Sequence, residues 1–221
     1  MLEDGSVYEG TARGDFKETA CEIVFNTSMT GYVEILTDPS YAGQGVVMTY
    51  PMIGNYGISR EDFESERLQP SAFIVHELSS DPSNFRCTDT IENLLKEYNI
   101  PCISGVDTRA VVKKLRESGT MRGVLTSDIG DRERLMDVIK SFRQIDLVGS
   151  VTAKQTKVYG EENTGAEIAL MDFGTKRNII NNLVKRNCIV TVYPSFTSAD
   201  EIIKTSPDGI MPVSYTHLRA H

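Results

Sequence analysis

The chain contains no tryptophan, three histidines and four cysteines in 221 residues, and its 23 Lys and Arg are outnumbered by 31 Asp and Glu. Each shortage excludes something. Cys21, Cys87, Cys102 and Cys188 are far apart, form no C-x-x-C pair and lie in or beside apolar runs. That is the habit of reduced thiols, not of a disulfide framework or a zinc site. His217 and His221 fall in the last ten residues, so elsewhere only His76 is available, too little for a histidine-based metal cluster. The net charge of -8 is offset by no basic cluster, which argues against a nucleic-acid binder. No apolar run approaches the roughly 20 residues that cross a bilayer. Met1-Leu2-Glu3-Asp4 is the reverse of a basic, apolar leader, so a cytoplasmic protein with small-molecule or protein partners is expected.

What is present is organised around Phe25 to Pro51, FNTSMTGYVEILTDPSYAGQGVVMTYP. Small hydroxyl residues, glycines and turn formers crowd between two runs with strand composition, Cys21 to Thr27 and Gln44 to Tyr50, with Asp38-Pro39-Ser40 as the turn. The stretch reads as a ligand site and not as core. Taken singly, Thr27, Ser28, Thr30, Thr37 and Ser40 could each do no more than cap a turn.

This stretch, continued by TYPMIGNYG, resembles the N-terminal domain of the small, glutamine-using subunit of carbamoyl-phosphate synthase. Similar segments follow in order: EDFES at Glu61 to Ser65, SNFR at Ser83 to Arg86, GVDTRAVVKKLRESG at Gly105 to Gly119 and MDFGTKRNII at Met171 to Ile180. The resemblance runs from Leu2 to Met211. The opening LEDGSVYEG resembles the end of that family's first strand and its hairpin, with Asp4-Gly5 at the turn, so several residues of the strand are expected to be missing.

Periodicity sets out the remaining elements. Ser71 to Leu78 reads as one strand carrying His76, a position where the family commonly has arginine. A histidine there without a partner nucleophile reads more simply as exposed or satisfied than as a base. Asp89 with Glu92 suggests a capping box for a helix with Ile91, Leu94, Leu95 and Tyr98 on one face, ending before Pro101. A short strand, Cys102 to Val106, precedes a helix capped by Asp107 or Thr108 and stopped at Gly119. Arg122 to Thr126 is a strand, and Asp131 to Phe142 a helix with Leu135, Val138, Ile139 and Phe142 inward. After Lys154 to Ala166, polar and aperiodic, the pattern alternates: strand Ile168 to Asp172, helix Lys176 to Arg186, strand Cys188 to Tyr193, helix Ala199 to Lys204 with a Ser198/Glu201 capping box, and strand Gly209 to Met211.

The fold class expected is α/β: an N-terminal mixed β/α layered domain over 1–151, a linker over 152–166, and over 167–211 the beginning of a class I glutamine amidotransferase domain with a flavodoxin-like parallel sheet. Residues 212–221, PVSYTHLRAH, resemble the translated end of a sequencing-library adapter and are set aside as non-native.

Asp172-Phe173-Gly174 spells a kinase magnesium motif, but the accompanying glycine-rich loop, paired lysine and H-R-D segment are missing. Asp172 is better read as a strand end and Gly174 as a tight turn. The family resemblance implies glutamine hydrolysis by a Cys/His/Glu triad in the second domain, beyond this chain, so no catalytic residue and no metal ligand is assigned here. Cys188, in RNCIVTV, has no glycine elbow and does not replace that nucleophile. Of the family's glutamine site the resemblance carries over one residue, Ser40, as a ligand of the substrate. It implies a large synthetase subunit as partner, glutamine as substrate, and ATP and Mg held by that partner, with no cofactor in this chain. The alternative expectation is a catalytically inactive piece that only docks on the large subunit.

Overall fold

The structure, a computed structural model, describes residues 1–143 and 146–213. The chain divides into two compact units, Met1–Gln144 and Ile145–His221.

The first unit is built on a six-stranded sheet of order β1-β7-β5-β3-β2-β8. The strands are β1 (Thr11–Gly14), β2 (Thr19–Asn26), β3 (Gln44–Met48), β5 (Ala72–Ile74), β7 (Pro101–Ser104) and β8 (Met121–Leu125). Neighbours among β2, β3, β5 and β7 are parallel, whereas β1 and β8 close the two edges antiparallel. β3 is buried at all five positions, as a strand covered on both faces must be. Its alternation sorts side chains into two cores. Val46 and Met48 join Phe73 and Val75 under α1 (Tyr32–Thr37) and α2 (Ile91–Glu97). Val47 joins Ile23 and Ile74 under α3 (Thr108–Ser118), through Val111 and Leu115. A smaller cluster seats α4 (Arg132–Ser141) on β8 through Leu135, Ile139 and Val124.

Local chemistry explains the helix ends. Asp107 caps α3 by accepting from Ala110 N–H at 2.9 Å, and Asp131 caps α4 by accepting from Arg134 N–H at 2.9 Å. The cap of α2 is Thr90, one residue later than the Asp89/Glu92 pattern predicts. Asp89 instead accepts from Thr90 N–H and the Asn93 side chain, and Glu92 pairs with Lys96 at 3.0 Å. The single strand expected over Ser71 to Leu78 breaks at Val75-His76. Its continuation, β6 (Glu77–Leu78), leaves the main sheet to pair with β4 (Met52–Ile53). β1 was not legible, because an exposed edge strand of sequence TARG shows no apolar alternation.

The N-terminus is tied to the far end of the unit. The Met1 amine donates to the Val124 carbonyl at 2.8 Å, Leu2 bridges Gly123, and Asp4-Gly5 forms the expected turn, with Gly5 N–H donating to Leu2 O at 2.9 Å. Asp4 pairs with Lys114 at 2.8 Å, and that contact holds its carboxyl down at about 2. Glu18 accepts both nitrogens of the Arg134 fork at 2.8 Å and the Thr126 hydroxyl at 3.0 Å, which likewise hold it at about 2. Carboxyls depressed below their unfolded values of about 4 contribute stability that is complete above that pH and is lost as pH falls through about 2. Acid titration followed by circular dichroism should therefore lose helix signal in that window. Glu18→Gln should flatten the loss slightly, because the pair is exposed, and salt should erase the difference. An acid profile of Glu18→Gln identical to wild type at low salt would show that the pair contributes nothing.

The second unit has a four-stranded sheet of order β12-β10-β11-β9, with β10 (Glu167–Asp172), β11 (Ile189–Pro194) and β12 (Gly209–Val213) parallel and β9 (Lys157–Tyr159) antiparallel on β11. α6 (Arg177–Lys185) contributes Ile180 to a core with Leu170, Val190, Val192 and Val213. α7 (Ala199–Lys204) contributes Ile202 to another with Ala169 and Tyr193, and its Ser198/Glu201 capping box is formed.

Three boundaries move. The first unit ends near 144, not 151, because α5 (Leu147–Val151) belongs to the second. The segment 152–166 is not a bare linker: it supplies β9, and the Asn163 side chain donates to the carbonyls of Val184 at 2.9 Å and Cys188 at 2.8 Å. A three-residue strand with two exposed positions carries too little periodicity to be read from sequence. Finally, β12 runs through Pro212 and Val213, which pair with Met171 and Asp172. The strand thus extends two residues into the tail set aside as non-native, whose remainder, with His217 and His221, lies outside the described residues.

Candidate functional site

The parallel strands of the first unit bring the carboxyl ends of β2, β3, β5 and β7 to one edge of the sheet, the edge at which open α/β sheets hold ligands. The stretch Phe25 to Pro51 leaves β2 at this edge and returns to it at the end of β3. Most of it is core. α1, a helix that the sequence pattern did not show, buries Tyr32, Val33, Ile35, Leu36 and Thr37, and Asp38 and Pro39 are buried behind it. The expectation that the stretch is not core is corrected for α1: six helical residues are too few to show a 3.6-residue period. Thr27 to Thr30 and Pro51 are exposed, and Ser40 is half-buried.

Gly31 opens α1 with φ 82°, a left-handed conformation that favours glycine. The Tyr56 hydroxyl accepts the N–H groups of Gly31 at 2.6 Å and Tyr32 at 3.1 Å, doing the work of an N-cap side chain from another segment. Its ring stacks on Tyr32 at 4.2 Å, and the Tyr32 hydroxyl donates to Gly57 O at 2.7 Å. Burial raises both phenols above their ordinary range, so they act as hydrogen-bonding groups and not as acids. Burial also raises the Glu34 carboxyl, with Asp62 and Glu64 nearby adding to the effect.

Thr37 is the second anchor. Its hydroxyl donates to Val33 O at 2.8 Å and accepts from Glu64 N–H at 2.9 Å, while its carbonyl accepts from the Ser65 hydroxyl at 2.6 Å. Asp38 then accepts from Ser40 N–H at 2.9 Å, and Pro39 to Tyr41 make one 3₁₀ turn. The Asn26 amide donates to the Tyr41 hydroxyl at 2.9 Å and accepts from Ser28 N–H at 2.7 Å. Ser40 is thus placed by its backbone, and its own hydroxyl has no hydrogen-bond partner among the described residues. Chemically it is a fixed donor and acceptor on a half-buried turn.

The motifs recognised in the sequence serve this arrangement. EDFES supplies Glu64 and Ser65 to Thr37, GNYG supplies Tyr56 and Gly57 to Tyr32, and Arg86 of SNFR reaches Asp62 at 2.6 Å and Glu61 at 3.2 Å. Tyr56 and Thr37 were missed as organising residues. The density of matched motifs was a signal, but which motif holds which is a tertiary fact.

Cys21 and Cys102 are not activated. Burial pushes Cys21 and Cys102 up to about 12, far from a thiolate at neutral pH. Cys188 follows α6, with its carbonyl engaged by Asn163. His76 is exposed, and its Nδ1 lies 3.1 Å from the Val106 carbonyl. Among the described residues no group of three or more His, Cys, Asp or Glu is arranged to hold a metal ion.

In the second unit Asp172 is a structural residue, as its place at a strand end suggested. Its carboxylate accepts the N–H groups of Ala153 at 2.7 Å, Gly174 at 2.9 Å and Thr175 at 2.7 Å. The Thr152 hydroxyl donates to the Asp172 carbonyl at 2.6 Å and accepts from Ser195 N–H at 2.8 Å.

Comparison with known proteins agrees with these motifs. A family described as "Carbamoyl-phosphate synthase small chain, CPSase domain" matches residues 1–125. The carbamoyl phosphate synthase small chain of Listeria monocytogenes serotype 4b (strain F2365) is 44% identical over 212 residues, covering 96% of this chain and 58% of the relative. That of Clostridium perfringens (strain 13 / Type A) is 47% identical over 209 residues, covering 94% and 59%. That of Bacillus cereus (strain ATCC 14579) is 46% identical over 211 residues, covering 96% and 57%. The chain therefore spans under two thirds of the length of these curated relatives.

Proposed function

The chain belongs to the carbamoyl phosphate synthase small-chain family, and from that premise we propose that it is part of a subunit that releases ammonia from glutamine and passes it to a large synthetase chain. The partner would hold ATP and Mg and make carbamoyl phosphate. The observation that carries the reading is Ser40: its backbone is fixed by Asp38, its neighbour Tyr41 is engaged by Asn26, and its hydroxyl is left over. A hydroxyl so placed can bond the α-carboxylate or amino group of glutamine. To test this, the chain is joined to the C-terminal portion of a relative's small chain and glutamine-dependent ammonia release is measured. Ser40→Ala should raise KM for glutamine by roughly 5- to 30-fold, the equivalent of about 1–2 kcal/mol, with kcat little changed. Unaltered kinetics would return Ser40 to a plain turn residue.

A second reading is favoured by the thiols. Amide hydrolysis needs a thiolate with a base beside it, and here Cys21 and Cys102 are held protonated while the His76 ring faces a backbone carbonyl. The chain by itself is then a docking module for the large chain. Ammonia release by the unmodified chain should remain at background, with or without the partner. Turnover abolished by Cys188→Ala would sink this second reading.

A further inference from the structure

A cleft of about 1120 Å³ lies in the first unit at the ends of β3 and β5 and beside the start of α3. Thr49 and His76 line it from just beyond the ends of β3 and β5, Thr108 from the head of the helix. Along it stand Arg109, Lys113 and Arg116. Spacings of four and three put these on one face of α3. All three are exposed, and none forms an ion pair among the described residues. Lys114, one position from Lys113, is by contrast paired with Asp4 at 2.8 Å. Two carboxylates share the lining, Asp107 and Glu117, and Asp107 is engaged at Oδ1 as the helix cap. In this groove cations outnumber acids on a chain of net charge -8, and no ion pair among the described residues uses those cations.

We propose that this cleft docks an acidic segment of the large synthetase chain, an inference that rests on the reading above that such a chain is the partner. The shape of the charge favours a polypeptide. Seven residues of helix separate Arg109 from Arg116, about 10 Å at roughly 1.5 Å per residue. That length fits carboxylates spaced along about three residues of extended chain and exceeds a single phosphate or carboxylate. A nucleic acid would meet three cations here and a strongly acidic molecule around them, a poor match for a polyanion that depends on many phosphate contacts. Partner carboxylates would also speed encounter at low salt, as complementary rims do.

The test measures binding of the chain to the large synthetase chain of the same organism, by calorimetry at low and moderate salt. Combined Arg109→Glu, Lys113→Glu and Arg116→Glu should weaken binding by roughly tenfold or more and reduce its salt dependence, with far-UV circular dichroism unchanged. Arg132→Glu, an exposed cation on α4, should leave binding as it was. Wild-type binding that the triple reversal does not weaken overturns the docking surface and leaves the partner reading standing; absence of wild-type binding overturns both. Displacement of the partner by inorganic phosphate at matched ionic strength, or an oligonucleotide bound by wild type and lost in the triple variant, would reassign the cleft and overturn the proposal.

Discussion

Tyr32→Ala should lower the stability of the first unit by about 3–5 kcal/mol, the scale of an aromatic truncated in a close-packed core. The side chain is 1% exposed, at the centre of a cluster fed by α1, α2 and one face of the sheet. The substitution empties that site, removes the stacking partner of Tyr56 and strands the Gly57 carbonyl. Tyr32→Phe isolates the hydroxyl and should cost about 1–3 kcal/mol, the penalty for one buried acceptor left unpaired. Urea denaturation followed by circular dichroism separates the two. A Tyr32→Ala midpoint within error of Tyr32→Phe would mean that the ring contributes little and the core is looser than described.

Asp172→Ala should destabilise the second unit by about 3 kcal/mol or more, since three backbone donors lose one charged acceptor together. The donors sit on both sides of the strand in sequence, Ala153 before it and Gly174 and Thr175 after it, so one carboxylate ties the segment that follows α5 to the turn from β10 into α6. Asp172→Asn should recover little, because an amide nitrogen would face an N–H group. Hydrogen exchange at Gly174 and Thr175 should accelerate in both variants, while Asp200→Ala, exposed on α7, should change nothing. Protection at Gly174 surviving in Asp172→Ala would show that the turn is held by packing alone.

How far the sequence could be read followed from the length and burial of each element. α3, α4 and α6 span 9 to 11 residues, long enough for apolar spacing to show, and each lies where the pattern puts it. β3, β10 and β11 are largely apolar and mostly buried, so their apolar runs were plain. α1, β1 and β9 escaped notice because each is too short or too exposed to carry a period. Ser40 could be named only through resemblance, since its distinction is an unused hydroxyl, which no spacing reveals. Asp172 was legible as a strand end, but its three donors come from both sides of β10 and needed the fold.

The tie between Met1 and Val124 joins groups 123 positions apart. β2 pairs with the same strand, Thr19 opposite Leu125, so the edge beside β2 stays open until that strand has been made. At synthesis rates of about 5–20 residues per second, the stretch from β2 to β8 takes on the order of 5–20 s to emerge. During that time Cys21 and Ile23, buried in the finished unit, lack their partner strand. A sheet closed by contacts this distant folds more slowly than one built from neighbours, because loop closure precedes the reward of pairing. The step most exposed to aggregation is therefore the wait for β8, and a chain stopped before residue 121 would carry an open parallel-sheet edge.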